Sequence, residues 1–388
     1  MYLQPNYGYS CLNLCGGMSP IYILPWNCSC VKVLGMLKKL KKDIDNSLKS
    51  FLWDISAELG LQAASGLLYG GIRDFLHRSG KRIRPILFLI SYQGYTKKKG
   101  FSYEKLLRCS LSLELLHDFL LAHDDVIDKS ALRRGKPALH RLFNMKLGVS
   151  GKDELGSNLG IVAGDIIFTM AIDALLSFSE DPSRKEQALK IFIRTAAATG
   201  IGEFIDVVNN VKKIEKITKK EVFLTYTLKT AKYTFEGPLL IGAVLAGADK
   251  EETQKLSRLG IILGQAFQIQ DDLLDTFSSS EKIGKPVLSD LNESKKTLLV
   301  WKTYKTLAKK DKKLLKHLLE KRGKTYRDLL EFRKLIKRAG ADRYCQKKAA
   351  SLLLEADSIC SGLRMRKKHK TALNQFIEDF RSKTETLT

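Results

Sequence analysis

The 388-residue chain predicts an all-α fold, and three observations carry that expectation. Long stretches place apolar residues three and four apart, as in Leu106-Leu107-Leu111-Leu115 and Leu256-Leu259-Ile262-Leu263-Phe267, the period of a helix with a buried stripe. Alternating β-branched runs bounded by turn residues are missing. Proline is scarce: Pro5, Pro20 and Pro25 lie in the N-terminal segment, and Pro85, Pro137, Pro182, Pro238 and Pro286 fall where a helix can start or a turn can form. So many apolar stripes require helices packed on several sides, a single-domain bundle around a deep central apolar cavity.

Residues 1–35 stand apart. The first thirty contain no Lys, Arg, Asp or Glu but hold Cys11, Cys15, Cys28 and Cys30. They have neither the basic start of a secretory signal nor the arginines of a transit peptide, and a poorly ordered extension is expected. At Met36 the pattern turns into an amphipathic basic helix, so residues 36–388 are expected to form the domain, ending in a basic helical region from about 301. Seven scattered cysteines without a framework point to a reducing, cytoplasmic setting. No apolar run approaches the ~20 residues that span a bilayer.

Inside the domain, the stretch from Leu113 to Asp128 is apolar until its end, where acids crowd. Helical spacing puts Asp124 and Asp128 one turn apart on one face, with Asp125 beside them and His117 two turns earlier. Clustered carboxylates repel one another and call for a positive partner, and oxygen ligands suit Mg²⁺ or Mn²⁺. One such cluster is a weak signal, because charges also gather at solvated helix ends. A second cluster, Asp271-Asp272-Leu273-Leu274-Asp275, repeats the spacing after another apolar run. Two of them facing across a bundle would hold divalent ions between them.

Cations surround these acids in the sequence: Gly80-Lys81-Arg82-Ile83-Arg84-Pro85, Arg133-Arg134-Gly135-Lys136-Pro137, Lys229-Thr230, Gly284-Lys285-Pro286 and Lys295-Lys296-Thr297. Arginine forks match phosphate oxygens and lysine supplies a point charge. Acids for metal and bases for phosphate imply a diphosphate ligand, and the apolar helices below imply that its other end is hydrocarbon. The formal charge is +24, and residues 301–350 hold 18 Lys or Arg against 5 Asp or Glu. That excess reads first as a solvated helical face. No nucleic-acid motif accompanies it, so nucleic acid is not an expected partner, whereas weak peripheral contact with an anionic membrane is compatible with it.

In their order, these motifs resemble those of the trans-isoprenyl diphosphate synthases in the polyprenyl synthetase family, most of all the geranylgeranyl type. They are GKRIRP at 80–85, ELLHDFLLAHDD at 114–125, DDVID at 124–128, RRG at 133–135, GD at 164–165, KTA at 229–231, FQIQDDLLD at 267–275 and GKPVLSDLNESKKT at 284–297. The resemblance implies the isoprenoid synthase fold, a homodimer, and condensation of isopentenyl diphosphate with an allylic diphosphate. By motif, Asp124, Asp125, Asp128, Asp271, Asp272 and Asp275 would bind about three Mg²⁺, or Mn²⁺, on the allylic diphosphate. Arg133, Lys229, Lys285 and Lys295 would clamp that diphosphate, with Thr230 and Gln268 beside the reacting carbon. Lys81, Arg84, His117 and Arg134 would hold isopentenyl diphosphate.

Two positions depart from the family pattern: Glu203 stands where Gln is common, and Ser294 where Gly is usual. In the family a bulky residue five before the first Asp limits elongation, which makes Phe119, with Leu120 and Leu116, the chain-length candidates. Phe119 beside a non-aromatic Leu120 predicts a C20 product, with C15 next and longer chains as the alternative. On an ideal helix Phe119 points away from Asp124 while Leu120 shares its side, so a ruler at Phe119 needs help from a kink or a second helix. A class I terpene cyclase would carry an Asn/Ser/Glu-type triad in place of the second Asp motif. A non-catalytic subunit would have lost an Asp motif or the phosphate cations.

Overall fold

The computed structural model describes residues 28–149, 153–277 and 289–385, with side chains over 35–149, 153–277 and 291–382. Lys285 and most of the expected N-terminal extension lie outside the described residues. The order is α1 (Cys28–Glu58), α2 (Leu61–Ala64), α3 (Gly66–Leu76), α4 (Ile83–Tyr95), α5 (Tyr103–Ile127), the strands β1 (Leu132–Arg133) and β2 (Lys136–Pro137), α6 (Leu139–Lys146), α7 (Asp153–Leu176) and α8 (Pro182–Val211). Then come α9 (Lys219–Thr225), a π-helix over Tyr226–Glu236, α10 (Gly237–Leu245), α11 (Lys250–Phe277) and the C-terminal helices. The expected all-α architecture holds. Helix α1 begins at Cys28, ahead of the charge pattern at Met36.

Starts and stops follow local chemistry. Ser102 caps α5 by accepting the Lys105 N–H at 3.3 Å. Asp181 caps α8, whose first residue is Pro182. Thr218 and Glu221 form a capping box ahead of α9. Helix α5 lies in the middle of the bundle, packed on α7, α4 and α1, with Leu106, Leu111, Leu113, Leu115 and Leu116 fully buried. Its C-terminal end carries Asp124, Asp125 and the capping Asp128.

The sequence pattern did not announce the π-helix, which lies between α8 and α11 and carries Lys229 and Thr230. Two glycines permit the approach. A Cβ on Gly202 of α8 would sit 2.4 Å from the Lys229 nitrogen, and one on Gly264 of α11 would sit 2.2 Å from the Ala231 Cα. Wide π turns commonly mark functional positions, because the extra residue per turn re-aims side chains.

The Arg133-Arg134-Gly135-Lys136 motif forms a two-residue hairpin, with Arg133 paired to Lys136 and both Arg134 (φ 54) and Gly135 (φ 74) left-handed. A primed turn requires that geometry and matches the strand twist. Glycine adopts it readily and arginine does not, so Arg134 is held in a strained conformation. Among the described residues, the non-glycine positions with positive φ are Arg82, Lys129, Arg134 and Ser294. Each belongs to or borders one of the acid or cation motifs. The usual glycine at position 294 would meet this backbone demand without strain.

Helix α7, of 24 residues, contains an 18-residue window of mean hydropathy 2.0, long and apolar enough by length and composition to cross a membrane. Asp165 and Asp173 break that window into shorter apolar runs. In the fold, α7 packs on α5 and α6, and 44% of the window is buried, as in the core helix of a bundle. The basic C-terminal region forms amphipathic helices. In Lys309–Glu320, Leu315, Leu318 and Leu319 face the core while the lysines stay outside.

Replacing Gly264 with Ala should destabilise the fold by about 1–3 kcal/mol, the usual cost of overpacking a well-packed contact. A lower urea midpoint with an unchanged slope would show it, and an unchanged midpoint would refute the close approach of α11 to the π-helix.

Candidate active site

A cavity of about 840 Å³ opens among α4, α5, α8, the π-helix and α11, and a smaller lobe of about 90 Å³ adjoins it. Asp124 and Asp271 line the main cavity, while Asp271, Asp272 and Asp275 line the lobe. Lys229, Thr230, Gln268 and Lys295 line both. The two acid motifs, far apart in sequence, therefore border one connected space.

Asp125 is fully buried and turned into the protein, where the Arg133 Nε donates to it at 2.9 Å. The same guanidinium reaches Asp124 at 3.2 Å. Asp272 is also buried: Tyr226 O–H donates to it, and Gln268 Nε2 donates to it at 2.9 Å. Thr230 in turn donates to the Gln268 carbonyl at 2.6 Å, and the Leu298 N–H donates to the Tyr226 oxygen at 2.7 Å. Burial and the neighbouring Asp124 raise the Asp128 carboxyl above the usual range.

Lys229 is a second cation at the first motif, after Arg133. Its Nζ lies 2.8 Å from Asp206, 2.7 Å from Glu203 and 3.7 Å from Asp124. Desolvation opposes its charge, but these carboxylates outweigh that and hold the amine protonated. Lys295 pairs with Glu293 at 2.8 Å. Sequence reasoning missed Asp206. It lies three residues after Glu203, the spacing that brings two helical side chains onto one face, and that was its available signal.

The second group of cations lines the same cavity near the start of α4. Arg84 stacks its guanidinium 4.3 Å over the Tyr233 ring and donates to Thr234 Oγ1 at 2.8 Å, which leaves its buried Nε without a hydrogen-bond partner. Exposed Lys81 and largely buried Arg134 line the cavity beside it. His117 lines it too, with a buried Nδ1 that has no partner. Burial first, then Arg84 and the other arginines, push the His117 pKa well down, so the ring is neutral and offers hydrogen bonds rather than charge. Arg82 is not a cavity cation of the same kind. It is buried, its Nη1 donates to Glu114 at 2.6 Å and its Nε to Asp45 at 2.8 Å, and it ties α4 to α5 and α1. Arg134 reaches down to fully buried Asp118 at 3.3 Å.

Phe119 and Leu120 both line the cavity below Asp124. The Phe119 ring packs on Phe168 of α7 at 4.9 Å and on His123 at 4.6 Å, so the second helix beside it is α7. Leu116 is fully buried in the core and does not line the cavity. The Gly164-Asp165 motif serves His123: a Cβ on Gly164 would lie 2.5 Å from the imidazole, and Asp165 approaches the ring at 3.4 Å.

Magnesium fits this donor set. Among the described residues no three His, Cys, Asp or Glu side chains are gathered into a ready cage. Asp124 and Asp271 instead present hard oxygens singly along a shared wall. Mg²⁺ is held in that way, by one or two carboxylates, water and the oxygens of a bound phosphate.

A sequence model of the polyprenyl synthetase family matches residues 66–336. The chain is 31% identical to a short chain isoprenyl diphosphate synthase of Methanocaldococcus jannaschii, over 73% of this chain and 77% of that one. It is 31% identical to a geranylgeranyl diphosphate synthase of Sulfolobus acidocaldarius over 71% and 78%. It is also 30% identical to a farnesyl diphosphate synthase of Geobacillus stearothermophilus over 67% and 81%. The fold matches a crystal structure of geranylgeranyl pyrophosphate synthase from Corynebacterium glutamicum with TM-score 0.81 at 23% identity, covering 89% of this chain and 99% of that one.

Glu203 yields a pH prediction. Burial, reinforced by Asp124 against the pull of Lys229, raises its carboxyl from 4.5 to about 7. The folded state therefore binds more protons than the unfolded state between those values, and stability falls as pH rises through the window. Glu203→Gln removes that loss. Denaturant midpoints should show the variant gaining on the parent from pH 5 to pH 8, and a constant gap would contradict the assignment.

Proposed function

The chain belongs to the polyprenyl synthetase family and is a prenyltransferase of the isoprenyl diphosphate synthase kind, and on that premise we propose that it joins isopentenyl diphosphate to an allylic diphosphate, with Mg²⁺, to make mainly the C20 geranylgeranyl diphosphate. The observation that carries this reading is the shared cavity. Asp124, Asp271 and Lys229 border one part of it, Lys81, Arg84 and Arg134 another, and Phe119, Leu120 and Phe267 add apolar wall.

The two diphosphates sort by these linings. The allylic diphosphate belongs beside the acids, where bound Mg²⁺ neutralises the leaving group. Arg133, Lys229 and Lys295 lie close enough to transfer from carboxylate partners to phosphate oxygens. Isopentenyl diphosphate belongs with Lys81, Arg84, Arg134 and neutral His117, a set that needs no metal. When the allylic C–O bond breaks, its electron pair leaves with diphosphate. The isopentenyl double bond then supplies the pair for the new C–C bond, and a proton is lost from the neighbouring carbon to the departed diphosphate. The Thr230 oxygen, its proton committed to Gln268, offers lone pairs to the allylic cation. Apolar walls keep water from that cation.

Exposed Leu155, Ile161 and Val162 on α7, with Ile193 and Ile201 on α8, form apolar surface that a second copy would cover, so the working unit is a homodimer. A monomer by light scattering would refute this. The unpaired, buried Cys109, Cys345 and Cys360 suit a cytoplasmic setting, and the basic C-terminal helices suit weak contact with anionic membrane.

The decisive assay supplies Mg²⁺, labelled isopentenyl diphosphate and each allylic primer, and separates the dephosphorylated prenols. C20 should dominate with C15 next, and no incorporation from any primer would overturn the reading. Asp271→Ala should lower turnover about a hundredfold or more with helicity retained, a loss of charge stabilisation at the leaving group. Near-normal turnover would remove Asp271 from the metal site. Phe119→Ala should lengthen the product, and an unchanged length would dismiss the ruler.

A further inference from the structure

Behind the catalytic cavity lies a second one, of about 850 Å³, between the end of α8, the segment from Asn292 to Lys296 and the loop from Lys321 to Lys324. Its walls carry Lys212, Lys213, Lys296, Lys316, Lys321, Arg322 and Lys324 against Glu293 and Glu320. Some of these cations are neutralised: Lys212 by Glu221, Lys316 by Glu215 and Lys321 by Asp328. Lys296 and Lys324 are not. Lys296, only 8% exposed, donates to the carbonyls of Asn210 at 3.1 Å and Ser294 at 2.6 Å. Lys324 donates to the Ser294 hydroxyl at 3.2 Å and the Asn292 carbonyl at 3.4 Å. Among the described residues no carboxylate lies within ion-pair range of either amine.

Two ammonium groups brought together on neutral oxygens, one buried and one half-buried, with Arg322 exposed beside them, have no direct ion-pair partner among the described residues. Positive charge of that kind is costly until something pairs with it. Burial first, and then Lys324, brings Lys296 down to about 8 against the more distant pull of Glu320 and Asp206, and burial lowers Lys324 against that of Asp328. The loop is shaped for the role, since Gly323 (φ 64) turns the chain between Arg322 and Lys324. We propose that this groove is a second anion site, which takes a multiply charged phosphate group such as a diphosphate. Lys296 also lines the small catalytic lobe, so the groove and the reaction cavity meet at that side chain.

The test compares the full-length protein with the Arg322→Gln, Lys324→Gln double variant, whose substitutions lie outside the catalytic cavity. Inorganic diphosphate is titrated calorimetrically without divalent metal, at low and high salt. Co-sedimentation with phosphatidylglycerol vesicles, with and without soluble diphosphate, identifies the source of the phosphate. A binding component that weakens about tenfold or more in the double variant supports the site, as the loss of two charge-assisted contacts requires. That component should also weaken with salt. Vesicle binding that the variant loses and diphosphate displaces supports the same site with a lipid headgroup as its occupant. Identical isotherms and identical sedimentation for parent and variant overturn it. Prenyl transfer at saturating substrates should be unchanged in the variant, which separates failure of the groove from failure of the enzymatic reading.

Discussion

Everything at this site depends on where the Lys229 ammonium is held. It sits among Asp124, Glu203 and Asp206, acids that would repel one another without it. A regular α-helix pressed against α8 and α11 would not bring it there. The π turn carries it, and Gly202 and Gly264 let that turn come within backbone contact of its neighbours. A helix with side chains at those two positions would stand off, and the lysine would retreat from the acids with it.

The same economy of charge extends across the cavity. The groups proposed for phosphate and those proposed for metal neutralise each other: Arg133 with Asp124 and Asp125, Lys229 with Asp124. Each pairing keeps a buried charge satisfied and holds its side chain near its working position. Binding then exchanges partners instead of creating charge in an apolar interior. Arg82, Glu114 and Asp45 form the fixed part of this arrangement, a buried tie on which Arg84 and Arg134 are mounted.

The helices were legible because each buries a long apolar stripe, and the two Asp motifs were legible because repetition made chance clustering a poor account. What stayed hidden were features set by tertiary contact. The π-helix has no periodic signature in eleven residues. The Arg134-Gly135 turn carries arginine where hairpins favour Asn, Asp or Gly, so local propensity argued against it. Asp206 is an ordinary helical acid until Lys229 is placed beside it. Phe119 was the instructive case. A helical wheel turned it away from Asp124, yet the cavity spreads from α5 toward α8 and takes in both Phe119 and Leu120, with Phe168 of α7 packed against the Phe119 ring. Leu116, a turn further down, is simply core.

The central claim is that one cavity holds two diphosphates by different means, one through metal and acids, the other through cations alone. Calorimetric titration with an unreactive allylic diphosphate analogue, and separately with isopentenyl diphosphate, in Mg²⁺ and then in chelator, tests it directly. The account predicts that the allylic analogue binds only with the metal while isopentenyl diphosphate binds in both conditions. Equal binding of the allylic analogue in chelator would contradict it.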